Sequence, residues 1–284
     1  MTMKALFATL LTLTLVSTLF AQDDLQKAEA SITAEGKRLY RSEMASWYGT
    51  DIFLEKFKDR RENIGGYFSY SENELNTCLF FSKGDQPKVI GSITFDNSFK
   101  VDQAKVDGAT RDFTRYEEAI FLIRKKALAE ISSDTLFKTY QNTNLNIIPL
   151  YDSSSRRVYV LTGPKVNGVV VFGNDYLITF DNANNLIAKK RLHQNIIPLN
   201  YGQEKGKVEV ASMHSHLPET GDMITATDIC TLMLYEKFPK WKQHLVLSGK
   251  YVSIWDCEKD TLAILTRQAW DKISSDQGSK RNGQ

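Results

Sequence analysis

The chain has 284 residues, of which 42% are hydrophobic and 25% charged, and its 36 Lys plus Arg against 34 Asp plus Glu give a formal net charge of +2. This length accommodates one large domain or two small ones, and an aromatic content of 11% excludes wholesale disorder. The charge lacks the basic excess of a polyanion binder, so DNA and RNA are not expected partners, and the composition is neither collagen-like nor coiled-coil.

Lys4 is the only charge before Asp23, and it precedes the apolar run Ala5 to Phe20, which closes on Ala21. That layout predicts a signal peptide over residues 1–21 and export to the periplasm or the medium. The run is short and too rich in Thr and Ser to span a bilayer, and no later stretch of the mature chain reaches a transmembrane length. Cys78, Cys230 and Cys257 are too few for a disulfide scaffold. At most one bridge can form, the pair stays open, and buried thiols are the default.

Residues 22–112 read as a helix followed by a small antiparallel meander. Leu25, Ala28, Ile32 and Leu39 have helical spacing between Asp24 and Trp47, with Gly36 weakening the helix. Past Gly65-Gly66, three strands are expected at Tyr67 to Ser71, Leu75 to Ser82 and Lys88 to Phe95, with turns at Glu72-Asn73 and Gly84-Asp85. Asp96 to Asp112 is polar and reads as a connector.

A second module is expected over residues 113–260. Thr114 and Glu117 have capping-box spacing and open a helix whose apolar stripe is Ile120, Ile123, Ala127 and Ile131. Strands follow at Val158 to Thr162, Val169 to Phe172, Tyr176 to Phe180 and Leu186 to Ala188, in a continuing antiparallel sheet punctuated by Gly163-Pro164, Gly173-Asn174 and Asp181-Asn182. Asn-Ile-Ile-Pro-Leu occurs at Asn146 to Leu150 and again at Asn195 to Leu199, and its Pro assigns each copy to a strand edge or a strand start. Residues 261–284 form a C-terminal segment whose polar end, from Ser274, is expected to fray.

Chemistry concentrates near residue 214. Lys207 to Pro218 reads as a strand running into a loop, and strand alternation puts His214 and His216 on one face, where both imidazoles can turn toward one ion. Downstream, Thr225-Ala226-Thr227-Asp228 opens a helix, and its first-turn Asp can supply an anionic third ligand, leaving a coordination position for water. The same Thr and Asp have the spacing of a plain helix cap.

With these residues in view, His214-Ser215-His216, a loop and Thr225-Ala226-Thr227-Asp228 resemble the His-x-His…Ser-x-x-Asp signature of the JAB/MPN metallopeptidases, the JAMM motif. The resemblance covers roughly Thr114 to Glu258, including a helix, several strands, the His-x-His strand, a helix opened by the acid, and strands at Gln243 to Ser248 and Tyr251 to Cys257. It implies an α+β fold with a JAB/MPN-like (cytidine-deaminase-like) mixed sheet flanked by helices. It also implies one zinc on His214, His216 and Asp228, with Thr225 in place of the family's Ser, which helps to polarise a scissile carbonyl. The loop is one residue longer than the family spacing. The family's upstream catalytic Glu has no counterpart, since no Glu occurs between Glu130 and Glu204. Glu209 falls on the strand face opposite the His pair, and Glu219 and Asp222 lie in the following loop.

The expectation is an exported, zinc-dependent hydrolase-like protein acting on a peptide or amide bond of a peptide or protein substrate. The alternative is a non-catalytic envelope protein that keeps the fold as a binding or structural module, favoured by the missing Glu. A third reading makes the His pair and the cap purely structural.

Overall fold

Alanine, leucine and charged side chains dominate from Asp24 onward, and with no Pro to interrupt it the backbone forms one long helix, α1 (Met3–Lys56), nine residues past the expected end at Trp47. The computed structural model describes residues 3–152, 155–202 and 209–281, with side chains described for 23–152, 155–202 and 209–276. The side chains on which the signal-peptide reading of residues 1–21 rests lie outside that description. Among the described residues, no helix is long and apolar enough to cross a membrane.

Gly36 marks the point where α1 crosses a second helix, α3 (Ala226–Tyr235): a Cβ at Gly36 would lie 2.6 Å from Ile229 Cγ2 and 3.0 Å from the Ala226 carbonyl oxygen. Further along, a Cβ at Gly49 would lie 2.5 Å from Cys78 Cβ. The helix gives up roughly 0.5–1 kcal/mol of propensity at each glycine. In exchange, its backbone approaches both neighbours closely.

The expected meander forms, and the polar connector extends it. Strands β1 (Ile64–Glu72), β2 (Leu75–Ser82), β3 (Val89–Phe95) and β4 (Lys105–Asp107) make an antiparallel sheet in that order. Within this sheet only β4 departs from the expectation, because its three residues are all exposed and carry no alternation. Phe53 of α1 stacks on Phe80 with ring centroids 3.9 Å apart.

Helix α2 (Arg115–Ser133) starts at the expected capping box, with the Thr114 hydroxyl accepting from Glu117 N–H and the Glu117 carboxylate accepting from Thr114 N–H. Its stripe Ile120, Ile123 and Ala127 is buried. Glu117 also receives Arg111 at 2.6 Å and the Tyr70 hydroxyl at 3.0 Å. Burial pushes the Glu117 pKa up, but these partners outweigh it and hold the carboxyl below its ordinary range.

The remaining strands fall into three small sheets where one mixed sheet was expected. β5 (Thr143–Tyr151), β6 (Arg156–Pro164), β8 (Tyr176–Phe180) and β9 (Leu186–Arg191) pair antiparallel in that order. β7 (Val169–Gly173) leaves them to pair with β10 (Ile196–Asn200). β11 (Ala211–Ser215), β12 (Gln243–Leu247), β13 (Tyr251–Asp256) and β14 (Thr261–Thr266) form the third sheet, parallel at β11–β12 and antiparallel beyond. Both Asn-Ile-Ile-Pro-Leu copies lie on edge strands, Pro149 in β5 and Pro198 in β10, where a missing N–H leaves no partner orphaned.

The chain ends in helix α4 (Arg267–Arg281), so the expected frayed tail is helical through Arg281, and residues 282–284 lie outside the described residues. From Ser274 on, its sequence is polar and offers no apolar stripe to reveal it.

One apolar core draws on both halves of the chain: Leu39, Ala45 and Phe53 of α1, Cys78, Phe80 and Ile93 of the meander, Ile148 and Leu161 of β5 and β6, and Cys230 and Leu234 of α3. Polar ties follow the same path. Arg38 donates to both Asp152 oxygens at 3.0 and 2.8 Å, and Glu35 receives Arg157 at 2.5 Å and Tyr159 at 3.0 Å.

Replacing Gly36 by Leu forces α1 away from Ile229 and should lower unfolding stability by about 1–3 kcal/mol in urea titrations. Glu117→Gln should cost about 1–2 kcal/mol near pH 7. Because the folded pKa of Glu117 is depressed, its contribution is present above the unfolded value near 4.5 and is lost as pH falls through the lower folded value, so wild type and variant should converge in acid.

Candidate metal centre

Three of the chain's four histidines, His193, His214 and His216, gather around Asp228, and the fourth, His244 of β12, stands behind His214. His214 is buried on β11, while its neighbours Met213 and Ser215 are exposed, as strand alternation requires. His216 lies one residue past the strand, yet its N–H still donates to Leu247 O at 2.8 Å, so the phase continues and both rings point the same way. Asp228 comes from the first turn of α3. Thr225 N–H and Thr225 Oγ1 both donate to Asp228 Oδ2, at 2.9 and 2.8 Å, and Asp228 N–H donates to Thr225 Oγ1 at 3.1 Å. The cap and the cluster are therefore one arrangement: capping fixes Oδ2 and leaves the buried Oδ1 with no hydrogen-bond partner.

His193 was not among the expected residues. It sits in the loop between β9 and β10, brought in by the turn after β7. Gly173 has φ +74, and a Cβ there would lie 3.3 Å from His193 Cβ, so the turn needs glycine on both conformational and steric grounds. Asp175 follows, and its Oδ1 lies 2.7 Å from His193 Nδ1, while Thr227 Oγ1 donates to its Oδ2. The sequence signal available was the scarcity of histidine together with the Gly173-Asn174-Asp175 turn; neither has the fixed spacing of a motif.

Four of the six separations between ligand atoms lie near those of a tetrahedral ion. His193 Nε2 and His216 Nε2 are 3.0 Å apart, His214 Nε2 and His216 Nε2 3.1 Å, His193 Nε2 and Asp228 Oδ1 3.4 Å, and His214 Nε2 and Asp228 Oδ1 3.7 Å. All four residues can offer one atom within 4.8 Å of the others. Zinc with bonds of about 2.0–2.1 Å would separate its ligand atoms by about 3.3 Å. The donor chemistry agrees. The carboxylate of Asp175 holds a proton on His193 Nδ1, so the inward Nε2 is the nitrogen whose proton a metal ion would displace. Ser212 Oγ lies 2.7 Å from His244 Nδ1 and His244 Nε2 lies 2.8 Å from His214 Nδ1, a chain that in one polarity turns the His214 lone pair inward.

Electrostatics separates the rings. Burial lowers His214 to about 4 and His244 to about 3, so both are neutral at pH 7. Burial also opposes charge on His193, but Asp228 and Asp175 outweigh it and raise its pKa to about 11. Asp228 is held well below the carboxylate range by His193 and His214 against the effect of its own burial.

The other expected acids stay away. Glu209 and Glu219 are exposed, and Asp222 pairs with Lys250 at 2.9 Å. The chain matches no protein-family model, no curated protein and no solved structure.

Zinc titration of the folded chain should saturate at one ion, and His193→Ala or the pair His214→Ala with His216→Ala should abolish uptake. Asp175→Asn should weaken affinity by roughly 10–100-fold while leaving the stoichiometry at one, read by competition with a chromophoric chelator.

Proposed function

We propose that this protein binds one zinc ion in a closed centre of His193, His214, His216 and Asp228 and serves outside the cytoplasm as a non-catalytic binding or structural protein of the envelope. The observation that carries this reading is the fourth ligand. Structural zinc sites are filled by four protein ligands, whereas catalytic ones use three and keep a position for water or substrate. His193 stands at that fourth position in a buried set.

The reading keeps the JAB/MPN resemblance as its frame. In its support, α2 precedes a run of strands, β11 carries His-x-His, α3 opens on Thr225 and Asp228, and β12 and β13 follow. Two features separate this chain from a peptidase of that kind. The clustered ligand set contains no Glu, and the nearest further carboxylate, Asp175, is engaged by His193 and Thr227. The Thr225 hydroxyl donates to Asp228, which suits orientation of the ligand more than stabilisation of an oxyanion. Without a positioned base, proton transfer loses a contribution of about 10²- to 10⁴-fold. Export rests on the sequence of residues 1–21, and the partner is an envelope component.

One observation favours hydrolysis instead. A cleft of about 310 Å³ opens beside the cluster, lined by His193, Asn195, Ile197, Met213, His214 and Thr220. Zinc there would act as a Lewis acid toward a peptide or amide carbonyl. In that case His193 must yield its place, with Thr225 near the substrate.

X-ray absorption of the zinc-loaded protein decides between them. Three imidazoles and one carboxylate, with no cleavage of a peptide library, fits the closed centre. A coordinated solvent oxygen in place of His193, with cleavage lost in His214→Ala, would establish the hydrolase.

A further inference from the structure

A second cavity, of about 250 Å³, lies at the far end of α3 from Asp228, between α1, β1, β5 and α3. Its main wall is a stripe of α1 at helical spacing: Glu43, Ser46, Trp47 and Thr50, with Asp51 at the rim. A face turned toward a neighbouring helix and sheet normally carries aliphatic side chains. Here it carries a carboxyl, two hydroxyls and an indole.

The opposite walls are Tyr67, Asn146 and Tyr235. Trp47 and Tyr67 are 42% and 38% exposed, and the Trp47 and Tyr235 ring centroids are 6.2 Å apart, so three aromatic rings border one opening. Glu43 Oε2 accepts from Asn146 Nδ2 at 2.6 Å, which fixes the carboxyl, and Oε1 has no hydrogen-bond partner among the described residues. Among the described residues, no Lys, Arg or His lines the cavity. Arg124 acts on the Tyr67 hydroxyl, but no cation acts on Glu43, whose pKa burial raises to about 7 against the hydrogen bond from Asn146. Thr50 Oγ1 on the same wall is also buried without a partner.

A carboxyl without a counter-ion, set among aromatic faces, complements a positive charge. Anions are disfavoured by Glu43 and Asp51, and a neutral apolar ligand would leave the carboxyl and the Thr50 hydroxyl unsatisfied. Aromatic faces attract cations through their quadrupoles, and the effect strengthens as the cation is desolvated. We propose that this cavity is a binding site for an organic ammonium group, with Glu43 as its counter-charge and Trp47, Tyr67 and Tyr235 as its aromatic walls. The size suits a short alkylammonium, either a free amine or the end of a lysine side chain on a peptide. The site is independent of the metal centre, sharing only α3 with it.

Calorimetric titration of the full chain with n-butylammonium, Nα-acetyl-lysine methylamide and the neutral analogue n-butanol tests it. At least one ammonium probe should saturate with a dissociation constant of about 1 mM or below, with n-butanol about tenfold weaker or worse. Binding of only the first indicates a free amine, and tighter binding of the second indicates a peptide lysine. Glu43→Gln, which keeps the shape and an acceptor for Asn146, should weaken binding by about tenfold or more, with the circular dichroism unchanged. If that variant does not fold, Trp47→Leu at the exposed rim should weaken binding by about threefold or more. No saturation by either ammonium probe up to about 10 mM, equal binding of n-butanol, or undiminished binding in the variants overturns the site.

Discussion

The close approach of α1 to α3 at Gly36 is the contact on which the architecture turns. It brings Ile229 against bare helix backbone, and Ile229 is the residue after Asp228, so the position of the carboxylate is tied to the packing of the longest helix. The same helix holds the meander through Gly49 and Phe53 and reaches β14, where Glu29 accepts from Ile264 N–H at 2.5 Å. Interiors are close-packed, so such contacts transmit displacement instead of absorbing it. The His and Asp cluster thus belongs to a rigid frame.

Within that frame, a single buried carboxylate organises the chemistry. An ionised Asp shut away from water is costly unless it is paired or bound to a cation. Asp228 answers half of this requirement locally, through the N–H and hydroxyl of Thr225 on Oδ2. Oδ1 faces His193 and His214, and His216 stands 3.2 Å from Oδ2. Two of these imidazoles are stabilised from behind, His193 by Asp175 and His214 by His244, and partners of this kind aim metal-binding imidazoles in general. Phe172 stacks on His244 with ring centroids 4.8 Å apart, so the outer layer is itself packed against apolar walls.

What could be read from the sequence was local. Both capping boxes, Thr114 with Glu117 and Thr225 with Asp228, formed because each needs only four consecutive residues. The shared face of His214 and His216 follows from the period of a strand. His193 and Asp175 escaped because they arrive through a left-handed turn and a loop, and their proximity to β11 is purely tertiary. Gly36 was legible only as a weakness of the helix; its purpose shows once Ile229 stands beside it. The partition into several sheets was equally invisible, since β7 and β8 are both short apolar runs and nothing in their composition says that one leaves to join β10. Helix α4 has no apolar residue beyond Ile273 to betray its second half.

The free cysteines give the cluster a further meaning. Cys78 and Cys230 are buried and Cys257 is half-buried, and none is bridged, so no covalent tie restrains the unfolded chain. An ion gripping residue 193 and residue 228 would close the intervening segment much as a disulfide closes a loop, and the chain entropy removed from the unfolded ensemble would be on the order of 3–4 kcal/mol. The segment closed in this way would contain β10 and β11. Coordination would then add a cross-link to a region that α1 holds at α3 and β14 by packing and hydrogen bonding alone.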